Sequence, residues 1–81
     1  MYYEINVAKK VKKSGITKEY ETYQHYFATA PRSITYYKDA VNKLKEFLVL
    51  FPSPEYDITI HENPEQFNIY SANEFLKKFN K

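Results

Sequence analysis

The sequence predicts an α+β two-layer sandwich of order β-β-α-β-β-(short α), a mainly antiparallel four-stranded sheet with one long helix across one face. Three observations carry that expectation. Residues 33–52 hold the one sustained helical period, with Ala40, Val41, Leu44, Phe47, Leu48 and Phe51 at three- and four-residue steps. Residues 2–11 and 56–61 alternate apolar with polar, the period of a half-buried strand. A chain of 81 residues carries apolar surface for one core, so residues 1–81 form a single small domain.

The first strand puts Tyr3, Ile5 and Val7 on one face and Tyr2, Glu4 and Asn6 on the other, with Val11 extending the apolar side. Lys9-Lys10 and Lys12-Lys13 lead to Ser14-Gly15, which holds the sole glycine and marks a hairpin turn over residues 12–17. The second strand falls within residues 20–29. Its parity is ambiguous, and Tyr23 with Phe27 is the expected inward pair because phenylalanine has no polar end to leave in water. His25 then shares that face. Ala30-Pro31-Arg32-Ser33 breaks the strand, and Ser33 or Thr35 is placed to cap the helix that Pro52 ends. Lys38, Asn42, Lys45 and Glu46 fall on the polar side of that helix.

In the third strand Tyr56, Ile58 and Ile60 face inward while Asp57, Thr59 and His61 face out. Residues 62–65 form a turn, and residues 66–70 a short fourth strand with Phe67 and Ile69 inward. Ser71-Ala72-Asn73-Glu74 matches a capping box and opens a short terminal helix with Phe75, Leu76 and Phe79. That helix has few turns to support it, so its order depends on packing that the sequence does not show.

Composition narrows the chemistry. Nine Tyr and six Phe, with no Trp and no Cys, give a core of aromatic and branched aliphatic side chains. The absence of cysteine excludes disulfides and thiolate chemistry and fits a reducing compartment. The N-terminus lacks a signal-type apolar segment, and the longest apolar run is residues 47–51, far short of the roughly 20 residues needed to cross a bilayer. A cytoplasmic protein with no membrane partner is expected. Lys, Asn, Ile, Tyr and Phe fill 38 of 81 positions, a composition associated with low-GC genomes and, among small chains, with bacteria, phages and mobile elements.

Net charge is only +2, yet its distribution is uneven. Lys9, Lys10, Lys12, Lys13, Lys18 and Arg32 form a candidate basic binding patch in the first hairpin region. Glu55, Asp57, Glu62 and Glu65 form a candidate acidic patch in the second. Tyr2, Tyr20, Tyr26, Tyr36 and Tyr37 are candidate aromatic contacts, since tyrosine offers rigid amphipathic area at few rotatable bonds. The plain alternative for the lysines is protection of an exposed edge strand against pairing.

Catalytic motifs are missing. His25 and His61 stand apart with no cysteine, which leaves no metal-ligand spacing. Each serine has a turn or cap role, and one glycine cannot build a phosphate loop. Asp57 and Glu62 near His61 make an acid–base cluster imaginable, but a polar outer strand face explains the same residues without any activity. The expectation is no enzyme, no cofactor and no metal.

The strands followed by Phe27-Ala28-Thr29 and a helix near Lys38-Asp39-Ala40 are loosely similar to the arm-site DNA-binding domains of tyrosine recombinases. Those have three strands and a helix, with a sheet that enters the major groove. This chain instead places two strands on each side of the helix and has one arginine, and the likeness spans about half its length. The resemblance implies DNA binding. The leading expectation from the residues is a small binding protein acting through protein–protein contacts, by analogy with phage or mobile-element accessory factors that inhibit a host system, such as anti-CRISPR proteins. The alternative is a nucleic-acid-binding module using the basic first hairpin. A third reading is weak self-association, basic hairpin to acidic hairpin.

Overall fold

The computed structural model describes residues 1–63 and 68–78. The order is β1 (Tyr2–Ser14), β2 (Glu19–Ala28), α1 (Tyr37–Leu50), β3 (Tyr56–Asn63), β4 (Ile69–Ser71) and α2 (Ala72–Lys77). The four strands form one antiparallel sheet in the order β2-β1-β3-β4. This is the α+β arrangement that the periodicities predict. Both helices pack on the same face, where Tyr3, Ile5, Val7, Ile34, Ala40, Leu44, Phe47, Ile58, Ile60, Ala72 and Phe75 are buried.

β1 organises the sheet because its odd-numbered residues are apolar over the stretch that lies under the helices. Tyr3, Ile5 and Val7 are all 4% exposed or less. Its partner β3 supplies Ile58 and Ile60 to the same face, paired in register with Val7 and Ile5. α1 covers them with Ala40, Leu44 and Phe47, the stripe expected from its sequence.

The start of α1 departs from expectation. Tyr36 occupies the N-cap and makes no side-chain cap, and its carbonyl accepts from the amides of Asp39 and Ala40. Ser33 Oγ instead donates to the Ala30 carbonyl at 2.7 Å, inside a turn where Arg32 adopts φ of 60°. The chain then runs extended past β1, where the Tyr3 amide donates to Ile34 at 2.8 Å, and this delays the helix to Tyr37. Thr35 is likewise bypassed.

Gly15 lies in the hairpin turn, as expected, without adopting positive φ. A Cβ there would lie 2.9 Å from the Lys18 carbonyl oxygen, the same oxygen that accepts the Gly15 amide, so glycine permits close approach of the backbone across the turn.

The parity of β2 is set by a β-bulge between the Val7 and Ala8 pairings. Val7 pairs with Phe27 but Ala8 pairs with His25, leaving Tyr26 as the extra residue. Tyr26 and Phe27 therefore both turn toward the helix side, against Phe51 and Tyr56 and against Phe47 and Phe51 respectively. Tyr23, expected inward with Phe27, pairs with Lys10 on the opposite face and is 50% exposed. His25 shares that open face.

β4 also differs by one residue of parity. Tyr70 pairs with the fully buried Ile60 and packs on the core, whereas Ile69, expected inward, is 57% exposed. Phe67 and Phe79 lie outside the described residues. α2 begins as predicted, with the Glu74 amide donating to Ser71 Oγ at 3.2 Å. It is held by Phe75, which is fully buried, stacks on Tyr37 at 5.1 Å and meets Tyr3 and Tyr70 at 5.9 and 6.1 Å.

Candidate interaction surface

β3 accompanies β1 only as far as the backbone bond from Lys10 to Glu55. Past that point β1 and β2 continue alone, so residues 11–22 form a two-stranded arm exposed on both faces. The arm contributes to an elongated molecule of 46 × 23 × 20 Å. Cross-strand partners share a face, so the register sorts its side chains. The helix-side face carries Val11 opposite Thr22 and Lys13 opposite Tyr20, with Lys9 opposite Gln24 at the base. The open face carries Lys12 opposite Glu21 and Ser14 opposite Glu19, with Lys10 opposite Tyr23. Ile16 stands at the tip, 105% exposed.

This sorting dismantles the basic patch predicted from the sequence. Lys10 Nζ lies 2.8 Å from Glu21, a pair that raises the lysine pKa and lowers that of the carboxyl through their mutual hydrogen bond. Lys9 Nζ lies over the paired Tyr26 and Tyr56 rings at 5.9 and 6.0 Å, with Glu55 at 4.0 Å. Arg32 lies over Tyr2 at 5.5 Å, at the end of β1 remote from the arm. From Tyr2 to Lys12 is ten residues of strand, about 33 Å, so Arg32 cannot share a ligand phosphate with the arm lysines. Lys12, Lys13 and Lys18 remain on the arm, against Glu19 and Glu21.

The acidic patch is dispersed for the same kind of reason. Glu62 is 8% exposed because its parity matches Ile58 and Ile60, and its carboxylate meets Lys78 at 3.7 Å beside α2. Lys78 also donates to the Tyr70 hydroxyl at 3.2 Å, which raises its pKa. Glu55 pairs with Lys9, Asp57 is exposed opposite Ala8, and Glu65 lies outside the described residues. Glu62 and His61 point to opposite faces, so the imagined acid–base cluster does not assemble. His61 faces Glu4 across the β1–β3 ladder.

The aromatic candidates divide similarly. Tyr37 is absorbed by the core, its ring stacked on Phe75 and its pKa raised by burial. Tyr2 is half-buried under Arg32, while Tyr36 is 72% exposed beside the helix start. Tyr20 and Tyr26 are 49% and 52% exposed and lie on β2. Tyr23 at 50% and Phe27 at 43% join them. The bulge that exposes Tyr23 leaves no short-range trace in the sequence. Ile16, an apolar residue inside a turn, is the signal in the sequence that marks this surface.

The strand order changes the meaning of this surface. β1 is paired on both sides as far as Lys10, so Lys9 and Lys10 do not protect an edge, whereas Lys12 and Lys13 lie in the arm, where the β3 side of β1 is open. The sheet has two edge strands, the three-residue β4 and the longer β2, whose sequence Glu-Tyr-Glu-Thr-Tyr-Gln-His-Tyr-Phe-Ala contains no Lys, Arg, Pro or Gly. It carries the β-branched and aromatic residues that favour pairing and none of the lysines or prolines that normally block it. A concavity of about 360 Å³ opens beside it, lined by Lys12, Glu19, Tyr20 and Glu21. No helix among the described residues is long and apolar enough to cross a membrane. Comparison with protein-family models, curated proteins and solved structures finds no match.

Proposed function

We propose that this chain is a non-enzymatic binding protein that recognises another protein by adding a strand to β2. The observation that carries the reading is the edge of β2, with four aromatics left about half exposed and no lysine, arginine or proline to block pairing ahead of the bulge at Tyr26. Strand addition draws affinity from backbone hydrogen bonds and specificity from alternate side chains. The amides of Gly15 and Thr29 donate to Lys18 and Ile5, which fixes the alternation along β2. Tyr20, Thr22 and Gln24 then turn their backbone groups toward β1, leaving those of Glu19, Glu21, Tyr23 and His25 for a partner.

A proline at Tyr23 therefore removes an outward amide and no bond of the sheet itself. The test is capture from the lysate of a low-GC bacterium on immobilised wild type, Tyr23→Pro and Lys45→Glu, with folding of each checked by circular dichroism. A protein held by wild type and Lys45→Glu but lost from Tyr23→Pro is the expected result. The same captured proteins on all three would refute the reading. Tyr23→Lys, which introduces the usual edge blocker, serves as the second variant.

Nucleic-acid binding is the second reading, favoured by one observation. The helix-side face of the arm holds Lys13, Tyr20, Thr22 and Gln24 with no acid from the arm itself. It predicts amide shifts in residues 11–22 on titration with a short DNA duplex, fading as salt rises. Their absence at low salt rejects it.

A further inference from the structure

We infer that the partner of β2 is a second copy of this chain, paired antiparallel through a two-fold axis at Tyr23. This rests on the edge-strand reading above and adds the identity of the strand that binds. A two-fold axis at Tyr23 sets residue 23 against itself, Glu21 against His25 and Thr22 against Gln24, each twice by symmetry.

The pattern is self-complementary on both faces. On the open face an imidazole N–H of His25 meets the Glu21 carboxylate of the other copy. That carboxylate already accepts from Lys10 at 2.8 Å and has lone pairs to spare. On the helix-side face the Thr22 hydroxyl meets the Gln24 amide, a donor and acceptor pair. The outward backbone groups of residues 21, 23 and 25 are those needed for the ladder, whereas the bulge at Tyr26 ends it. No like charges are brought opposite one another within residues 21–25. A parallel pairing in the same register would set Glu21 against Glu21, which opposes it.

Antiparallel pairing about this axis keeps the two helix layers on one side and makes a continuous sheet of order β4-β3-β1-β2-β2-β1-β3-β4. A ladder of five residues is short, so association is reversible and follows concentration.

The chain has no cysteine, which makes the register directly testable. Residues that face each other as a hydrogen-bonded pair have Cα atoms about 5.5 Å apart, within disulfide reach. Single variants Tyr23→Cys, Glu19→Cys and Lys45→Cys are oxidised mildly at millimolar concentration. In parallel, wild type and Tyr23→Pro are followed by sedimentation velocity from micromolar to millimolar. Expected are a concentration-dependent species of twice the 9.7 kDa monomer mass, its loss in Tyr23→Pro, and cross-linking at least tenfold faster at Tyr23→Cys than at the other two.

A wild type that stays monomeric throughout, or a Tyr23→Cys no faster than Lys45→Cys, overturns the self-pairing. Dimers that persist in a folded Tyr23→Pro overturn it too, by placing the contact away from β2. The cross-linking series stands even if the proline variant fails to fold. A monomeric wild type whose lysate partner is still lost from Tyr23→Pro refutes the second copy while keeping the edge-strand reading, so the two failures are separable.

Discussion

Removing the Phe75 ring tests the claim that the short terminal helix is part of the core. Phe75 is fully buried, stacks on Tyr37 at 5.1 Å and touches Tyr3 and Tyr70 edge-on or tilted. Truncating such a buried phenylalanine to alanine costs about 3–5 kcal/mol through lost transfer energy and the cavity left behind. For 81 residues at about 0.05–0.15 kcal/mol each, total stability is about 4–12 kcal/mol, so Phe75→Ala removes a large share of it. At about 4–8 °C per kcal/mol for a domain of this size, the melting temperature falls by about 12–40 °C. The assay is urea unfolding followed by far-ultraviolet circular dichroism, with Val49→Ala as control. Val49 is 80% exposed on α1, and its truncation should stay within about 0.5 kcal/mol. A loss below about 1 kcal/mol for Phe75→Ala would show that the ring is not held as the packing requires, since surface substitutions already span about half of that. Hydrogen exchange supplies the second check. If α2 amides open while β1 and β3 amides keep wild-type protection, α2 is an appendage and the argument fails.

Two further outcomes follow from buried polar groups. Lys78→Ala leaves Glu62 without the cation it meets at 3.7 Å. The cost should be about 1–2 kcal/mol, between values for exposed and buried pairs, and should exceed that of Lys43→Ala, which breaks the exposed Lys43–Glu46 pair; equal midpoints in urea would contradict the burial of Glu62. The hydroxyls of Tyr3, Tyr37 and Tyr56 have pKa values raised chiefly by burial. A raised folded-state value means their contribution is fully present below the ordinary tyrosine value near pH 10 and is lost as pH rises through the folded-state values. Absorbance of tyrosinate near 295 nm should therefore show a late-titrating group that disappears in urea, with stability falling across the same range; all nine tyrosines titrating together would refute it.

Much of the fold was legible because it depends on short-range geometry. The stripe of Ala40, Leu44 and Phe47, the alternation of Tyr3, Ile5 and Val7, and the Ser71 capping box each involve residues within one or two turns or pleats. The candidate site was far less legible. Tyr23 and Ile69 both turned out by one residue of parity, the first through the bulge at Tyr26 and the second through the Ile60–Tyr70 pairing. Arg32 could be grouped with Lys12 and Lys13 by sequence but sits at the far end of the sheet, against Tyr2.

The element types, the apolar face of α1 and the inward sides of β1 and β3 can be read from the residues alone. Those follow from periods of 3.6 and 2.0 that any stretch of chain expresses locally. That β1 lies between β2 and β3, with β2 at one edge, cannot be read this way, because strand neighbours are chosen by long-range closure over the helices. That choice placed Lys9 and Lys10 on the interior stretch of β1, paired them with Glu55 and Glu21, and left a lysine-free strand at one edge. The residues were all present in the sequence, and their meaning as a surface came from which backbone edge remained unpaired.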